Sequence, residues 1–212
     1  MPRERTALTR LSGFREKDKI FVLAFEGNYA EPQYYEALKE RLRYKNYRLH
    51  IESLVREPDD TRSAPNHVFQ SLKEKKEEYN FNDSDEFWMI IDRDRWQLDE
   101  WVEKCEQEKN FFLAISNPCF ELWLLLHIAD LGQFSHEEME EISRNKKTKK
   151  KRYLDKLLSK LLEEGYNKTN IKPERFLDNI DMAARQAKSL DTENILTSLG
   201  SHNYKLVSKL LR

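Results

Sequence analysis

Three short, continuously apolar runs most constrain the fold of this chain: KIFVLAF (19–25), EFWMII (86–91) and FFLAI (111–115). Such runs are too short for a helix core and rich in strand formers, and strands without polar alternation are covered on both faces. Amphipathic stretches lie between them. Residues 31–45 place Tyr34, Tyr35, Leu38 and Leu42 on one helical stripe, with Pro32 in the first turn, where a missing N–H costs nothing. Residues 65–79 turn Val68, Phe69 and Leu72 inward, and 97–109 use Leu98, Trp101 and Val102. Residues 47–55 alternate as a half-exposed strand, and 118–130 read as a helix that is apolar nearly all round. Apolar strands separated by amphipathic helices are the pattern of parallel βαβ units. After about residue 131 the pattern changes: 135–164 and 173–212 show helical periodicity and no convincing strand. The expectation is an α/β protein with a mostly parallel sheet flanked by helices over 19–130. A helical C-terminal region, 131–212, comes after this core, and a polar, basic tail, 1–18, precedes it.

Composition narrows the function classes. Hydrophobic residues make up 39% of the 212, enough for a core, while 35% are charged, against about 25% in an average domain. No apolar run approaches the roughly 18–20 residues of a membrane-spanning helix, and MPRERTALTRLSGFREKDK lacks a signal-peptide core, so a soluble, cytoplasmic protein is expected. Cys105 and Cys119 have no CxxC partner, which excludes a disulfide framework or a four-cysteine zinc site. The formal net charge of −1 hides segregation: residues 74–108 hold thirteen acidic and five basic residues, whereas RNKKTKKKRYLDK (144–156) holds eight basic and one acidic. A basic tract can bind a phosphate backbone by counterion release, or be only a solvated face.

The ends of the apolar runs are more informative than the runs themselves. The first run leads into Glu26-Gly27, the second into Asp92-Arg93-Asp94, and the third into Ser116-Asn117-Pro118 with Glu121 three residues on. Ligands of open parallel sheets bind beyond the carboxyl ends of the strands, so acidic groups from three strands point at one crevice. Asp92 and Asp94, two apart, project the same way. Gathered carboxylates repel one another unless a cation sits among them, and a hard, oxygen-liganded Mg²⁺ or Mn²⁺ suits the place. Each motif alone also reads as turn and capping chemistry. Asn117 is a good N-cap with Pro118 at the first helical position, making a helix start suited to phosphate. Glu121, charged on an apolar helix, needs a metal, an Arg or the helix dipole as partner. His127 reads as a hydrogen-bonded core residue, and Cys119 as a small buried hydrophobe.

Three stretches, FVLAFEGNYAEPQYYEAL (21–38), FWMIIDRDRW (87–96) and FLAISNPCFELWLLLH (112–127), resemble the RloB-like family of bacterial defence proteins. Weaker echoes occur in GYNKTNI (165–171), AARQAKSLD (183–191) and YKLVSKLL (204–211). Ala30 departs from the Thr that the family usually carries before the Glu of its first helix. The resemblance implies a Toprim-like fold in which Glu26, with Asp92 and Asp94, holds divalent metal for phosphoryl transfer. Glu121 and Lys168, the latter in the family-like Tyr-x-Lys, are the further site candidates. It also implies an AAA-type ATPase partner in abortive-infection or restriction-linked defence, and this chain has no GxxxxGK[ST] run of its own. The implied activity is that of a metal-dependent nuclease on DNA or RNA. The alternative is a non-catalytic Toprim-like subunit that binds nucleic acid or the ATPase. The oligomeric state is not indicated.

Overall fold

All three apolar runs form strands. β1 (Lys19–Phe25), β3 (Glu86–Asp92) and β4 (Phe111–Asn117) lie parallel, and β2 (Leu49–Leu54) pairs parallel with β1. In this computed structural model the described residues are 19–43, 49–55, 64–78, 81–191 and 194–212, so the expected 1–18 tail lies outside them. The strand order is β2-β1-β3-β4-β7, where β7 (Gly200–Ser201) runs antiparallel to the end of β4.

Strand parity divides the core in two. Phe21, Leu23, Phe25, Trp88, Ile90 and Ala114 pack on one face against α1 (Ala30–Arg43) and α4 (Phe120–Ile128). Val22, Ala24, Phe87, Met89, Ile91 and Ile115 pack on the other against α2 (Pro65–Glu78) and around α3 (Asp99–Gln107). The absence of polar alternation in the three runs has this cause: both faces are covered. Asp92 shares the parity of Trp88 and Ile90, which sends its side chain towards the α1/α4 layer.

The C-terminal region folds onto the same core. α5 (His136–Arg144), α6 (Tyr153–Leu161), α7 (Glu174–Leu177), α8 (Ile180–Leu190) and α9 (Asn203–Leu210) come after α4, and several of them wrap it. Every residue from Phe120 to His127 is buried, so α4 has no solvent face to make polar. Each fully buried Leu there contributes roughly 1.5–3 kcal/mol.

Two expectations need correction. The C-terminal region is not strand-free: β5 (Lys147–Thr148) and β6 (Lys151–Arg152) form a hairpin within the lysine tract, and β7 extends the main sheet. These strands have two residues each, too few to show a period-2 pattern. Asn117 does not cap α4 either. It belongs to β4 and donates Nδ2 to the Ile195 carbonyl at 2.8 Å, while Cys119 is the N-cap residue, after a cis Asn117-Pro118 bond. Among the described residues no helix is long and apolar enough to cross a membrane.

Candidate metal centre

The ends of β1 and β3 and the helix that follows β4 each deliver one part of a buried acidic cluster. Glu26 comes directly after β1. Its Oε2 accepts from the Asp92 backbone N–H at 2.9 Å, and its Oε1 accepts from Trp96 Nε1 at 3.0 Å. Asp92 ends β3, and its Oδ1 accepts from the Phe120 N–H at 2.8 Å. The start of α4, expected as a phosphate site, thus already carries the Asp92 carboxylate, since an anion is favoured at a helix N-terminus. Glu121 opens α4 at 1% exposure, with Oε1 accepting from Tyr166 Oη and from Lys168 Nζ, each at 2.9 Å. In place of the metal or Arg expected beside Glu121, the protein itself supplies a lysine. Asp92, Cys119 and Glu121 offer donor atoms within 4.8 Å of one another.

Glu31, in sequence only the ordinary acidic opening of a helix, also belongs here. It is 2% exposed, its Oε2 has no hydrogen-bond partner among the described residues, and its field reaches Lys168, Glu121, Glu26 and Asp92. Its carboxylate fills the space beside Gly27, where a methyl group would overlap it. Glu31 stands five positions after Glu26, an acid in the first turn of a helix that buries Ala30 and Pro32 on either side. Of these, only the spacing from Glu26 can be read in the sequence.

Electrostatics separates the members. Burial pushes Asp92 well above the usual carboxylate range, with the nearby charge of Glu31 adding to it. Burial also raises Glu26 and Glu31, against the hydrogen bonds to Glu26 and the Lys168 charge near Glu31. Glu121 goes the other way. Burial opposes its charge, but the ammonium of Lys168 holds it below the ordinary range. Lys168 in turn is raised: the surrounding carboxylates outweigh the burial that would lower it. Asp94 stands slightly apart, ion-paired with Arg152 of the hairpin and 3.9 Å from Arg95, and burial still raises it. Arg93 turns away, donating to the Leu196 and Trp96 carbonyls.

Glu26, Asp92, Glu121 and Lys168 therefore meet in one place. Asp94 borders it through Arg152, and Tyr166 and Glu31 join it. Four buried carboxyl groups, three of them raised because their charge is poorly compensated, gather around an ammonium, and such a set of oxygen donors fits a divalent cation. Cys119 is the soft member of the group, whereas a hard cation prefers oxygen: burial pushes its thiol well up, and it accepts from Asn145 Nδ2 at 3.1 Å. His127 is a core residue as expected. Its Nδ1 donates to the Trp123 carbonyl at 2.7 Å, its Nε2 accepts from Tyr34 Oη at 2.9 Å, and burial lowers it to about 4.

The hairpin rises beside the cluster. Lys146, Lys147, Lys149, Lys150 and Lys151 are exposed along it, while Arg152 reaches in to Asp94. A family model described as RloB-like protein matches residues 21–210. The chain belongs to the RloB-like family. The match takes in Glu26, Glu31, Asp92, Asp94, Glu121, Tyr166 and Lys168 of this RloB-like chain, together with the hairpin. No curated protein and no solved structure matches it.

Proposed function

We propose that this RloB-like chain is a divalent-metal-dependent phosphoryl-transfer protein, a nuclease-like effector of bacterial antiphage defence built on a Toprim-like fold and working with an AAA-type ATPase. The observation that carries the reading is the convergence of Glu26, Glu31, Asp92 and Glu121, all buried, around the single ammonium of Lys168 at the carboxyl ends of parallel strands. Asp92 and Glu121, with Glu26 or Glu31 beside them, would hold Mg²⁺ or Mn²⁺. Such an ion supplies an activated water and offsets charge on a phosphate.

The chain's own groups supply the rest. The Phe120 N–H fixes Asp92, and the Asp92 N–H and Trp96 fix Glu26. Glu26, raised by burial, holds a proton more readily than an exposed glutamate. Lys168 places a positive charge among the carboxylates for a phosphate oxygen. The hairpin lysines attract the polyanion without reading its sequence.

One observation favours the second reading, a non-catalytic Toprim-like subunit that binds nucleic acid or the ATPase: Glu121 and Asp94 already have protein cations, Lys168 and Arg152. Purified protein with Mn²⁺, tested on plasmid DNA and on RNA, separates the two. Cleavage that is lost in Asp92→Ala supports the enzyme. Intact polymers in the presence of the ATPase, with binding retained, support the subunit.

A further inference from the structure

Lys168 sits in the irregular segment between α6 and α7, outside any helix or strand, so its place must be set by side chains. Within the turn, Asn167 Oδ1 accepts from Thr169 N at 3.1 Å and from Thr169 Oγ1 at 2.9 Å. Those bonds fix the shape of the turn, not its location. Tyr166 and Ile171, both buried in the core, anchor its two ends, and between them it is held by the Gln33 amide. One end of that amide, Nε2, donates to the Thr169 carbonyl at 3.1 Å, and the other, Oε1, accepts from the Ile171 N–H at 3.1 Å. Gln33 thus bonds the backbone one and three residues past Lys168. It stands two residues after Glu31 on α1, between the buried Pro32 and Tyr34, so its own backbone is held by the core.

We propose that Gln33 is a positioning residue: its amide docks the 167–171 turn on α1 and thereby aims the Lys168 ammonium at the carboxylates of Glu121, Glu31 and Asp92. This rests on the reading of that cluster as the metal and phosphate site. The chemistry of the residue matters, because an amide of this length carries a donor and an acceptor on two separate atoms and so meets a backbone carbonyl and a backbone N–H together. A glutamate would keep the bond from Ile171 and repel the Thr169 carbonyl. Without the clamp, Lys168, whose side chain is 44% exposed, is free to turn its ammonium to water. The cluster then loses its internal cation.

The experiment has two readouts on the full chain. The first is the ammonium cross-peak of Lys168 in a lysine side-chain ¹H–¹⁵N spectrum, assigned by its loss in Lys168→Gln. It should be visible in the wild type and broadened away in Gln33→Ala and Gln33→Glu, with folding checked by melting. The second is Mn²⁺ affinity. It should rise in Lys168→Gln by roughly tenfold through removal of a nearby positive charge, and it should rise in the same direction in Gln33→Ala. The Gln33→Ala/Lys168→Gln double variant should add nothing beyond Lys168→Gln. A cross-peak that persists in both Gln33 variants overturns the proposal, as does its absence from the wild type. A residue that only stabilises the fold would lower melting and leave the cross-peak in place. If the wild type takes up no Mn²⁺ while the cross-peak behaves as expected, the metal reading falls and the positioning role stands.

Discussion

Replacing Lys168 by Met isolates the charge balance of the cluster. Met keeps most of the stem and deletes the ammonium that lies 2.9 Å from Glu121 Oε1. The Glu121 side chain is 2% exposed, so its charge would be left to the Tyr166 hydroxyl, the Cys119 thiol and the start of α4. Breaking a fully buried pair by removing one partner costs about 3–5 kcal/mol. Lys168 is 44% exposed, and screening by water reduces this to roughly 1–3 kcal/mol at pH 7.

The cost should depend on pH, with a definite sign. In the wild type Glu121 is held below the ordinary carboxylate range. Pairing therefore contributes stability that is present above that range and lost as pH falls through the depressed value. In Lys168→Met, burial should outweigh the remaining hydrogen bonds and raise the Glu121 pKa above that of the unfolded chain. The variant then regains stability as pH falls and Glu121 takes up a proton. Urea unfolding of both proteins in chelator, followed by tryptophan fluorescence, should show the gap narrowing from pH 7 to pH 5. In a Glu121→Gln background the same substitution should cost less than half as much. A penalty that is constant over that range, or undiminished by Glu121→Gln, is incompatible with this balance of charges.

Asp92→Asn should stabilise the metal-free protein at pH 8, because burial raises this carboxyl and makes its ionised form a liability as pH rises above the ordinary range. Its amide oxygen can still accept from Phe120. A melting temperature in chelator below that of the wild type would count against this. Gly27→Ala should displace the Glu31 carboxylate and weaken Mn²⁺ binding by about tenfold or more, as loss of a ligand-shell group does. Unchanged affinity, with Glu31→Gln affected, would reject it. Neutralising Lys146, Lys147, Lys149 and Lys150 should flatten the salt dependence of duplex binding by up to about 3.6 units of slope and leave the rate at saturating substrate nearly unchanged. An unaltered slope would make the hairpin a solvated turn.

The parts of this protein legible in its sequence share a cause. β1, β3 and β4 show because burial on both faces leaves no room for polar residues, and the acids show where such a run stops. Asp92 and Glu26 could be placed together because strand ends in a parallel sheet converge. The hidden parts depend on distant partners. Lys168 is a candidate only through the family-like Tyr-x-Lys, and its pairing with Glu121 spans 47 positions, that of Tyr166 with Glu121 45, and that of Arg152 with Asp94 58. No local period encodes such pairings. The helix start at Asn117-Pro118 misled for a local reason: capping preferences describe an isolated helix, whereas here Asp92, from another strand, satisfies the first free N–H. Glu31 was hidden by its ordinary place, since an acid in a first helical turn usually needs no further explanation.

The chemistry proposed for this protein stands or falls with the binding of a divalent cation by the Glu26, Glu31, Asp92 and Glu121 cluster. Titration of the protein into Mn²⁺, with free Mn²⁺ followed by electron paramagnetic resonance, measures that binding without any assumption about substrate. Saturable uptake at one or two ions per chain is expected, as phosphoryl-transfer sites hold, together with its loss in Asp92→Asn with the fold intact. Absence of uptake by the wild type, or equal uptake by both proteins, would show that the cluster is not a metal site.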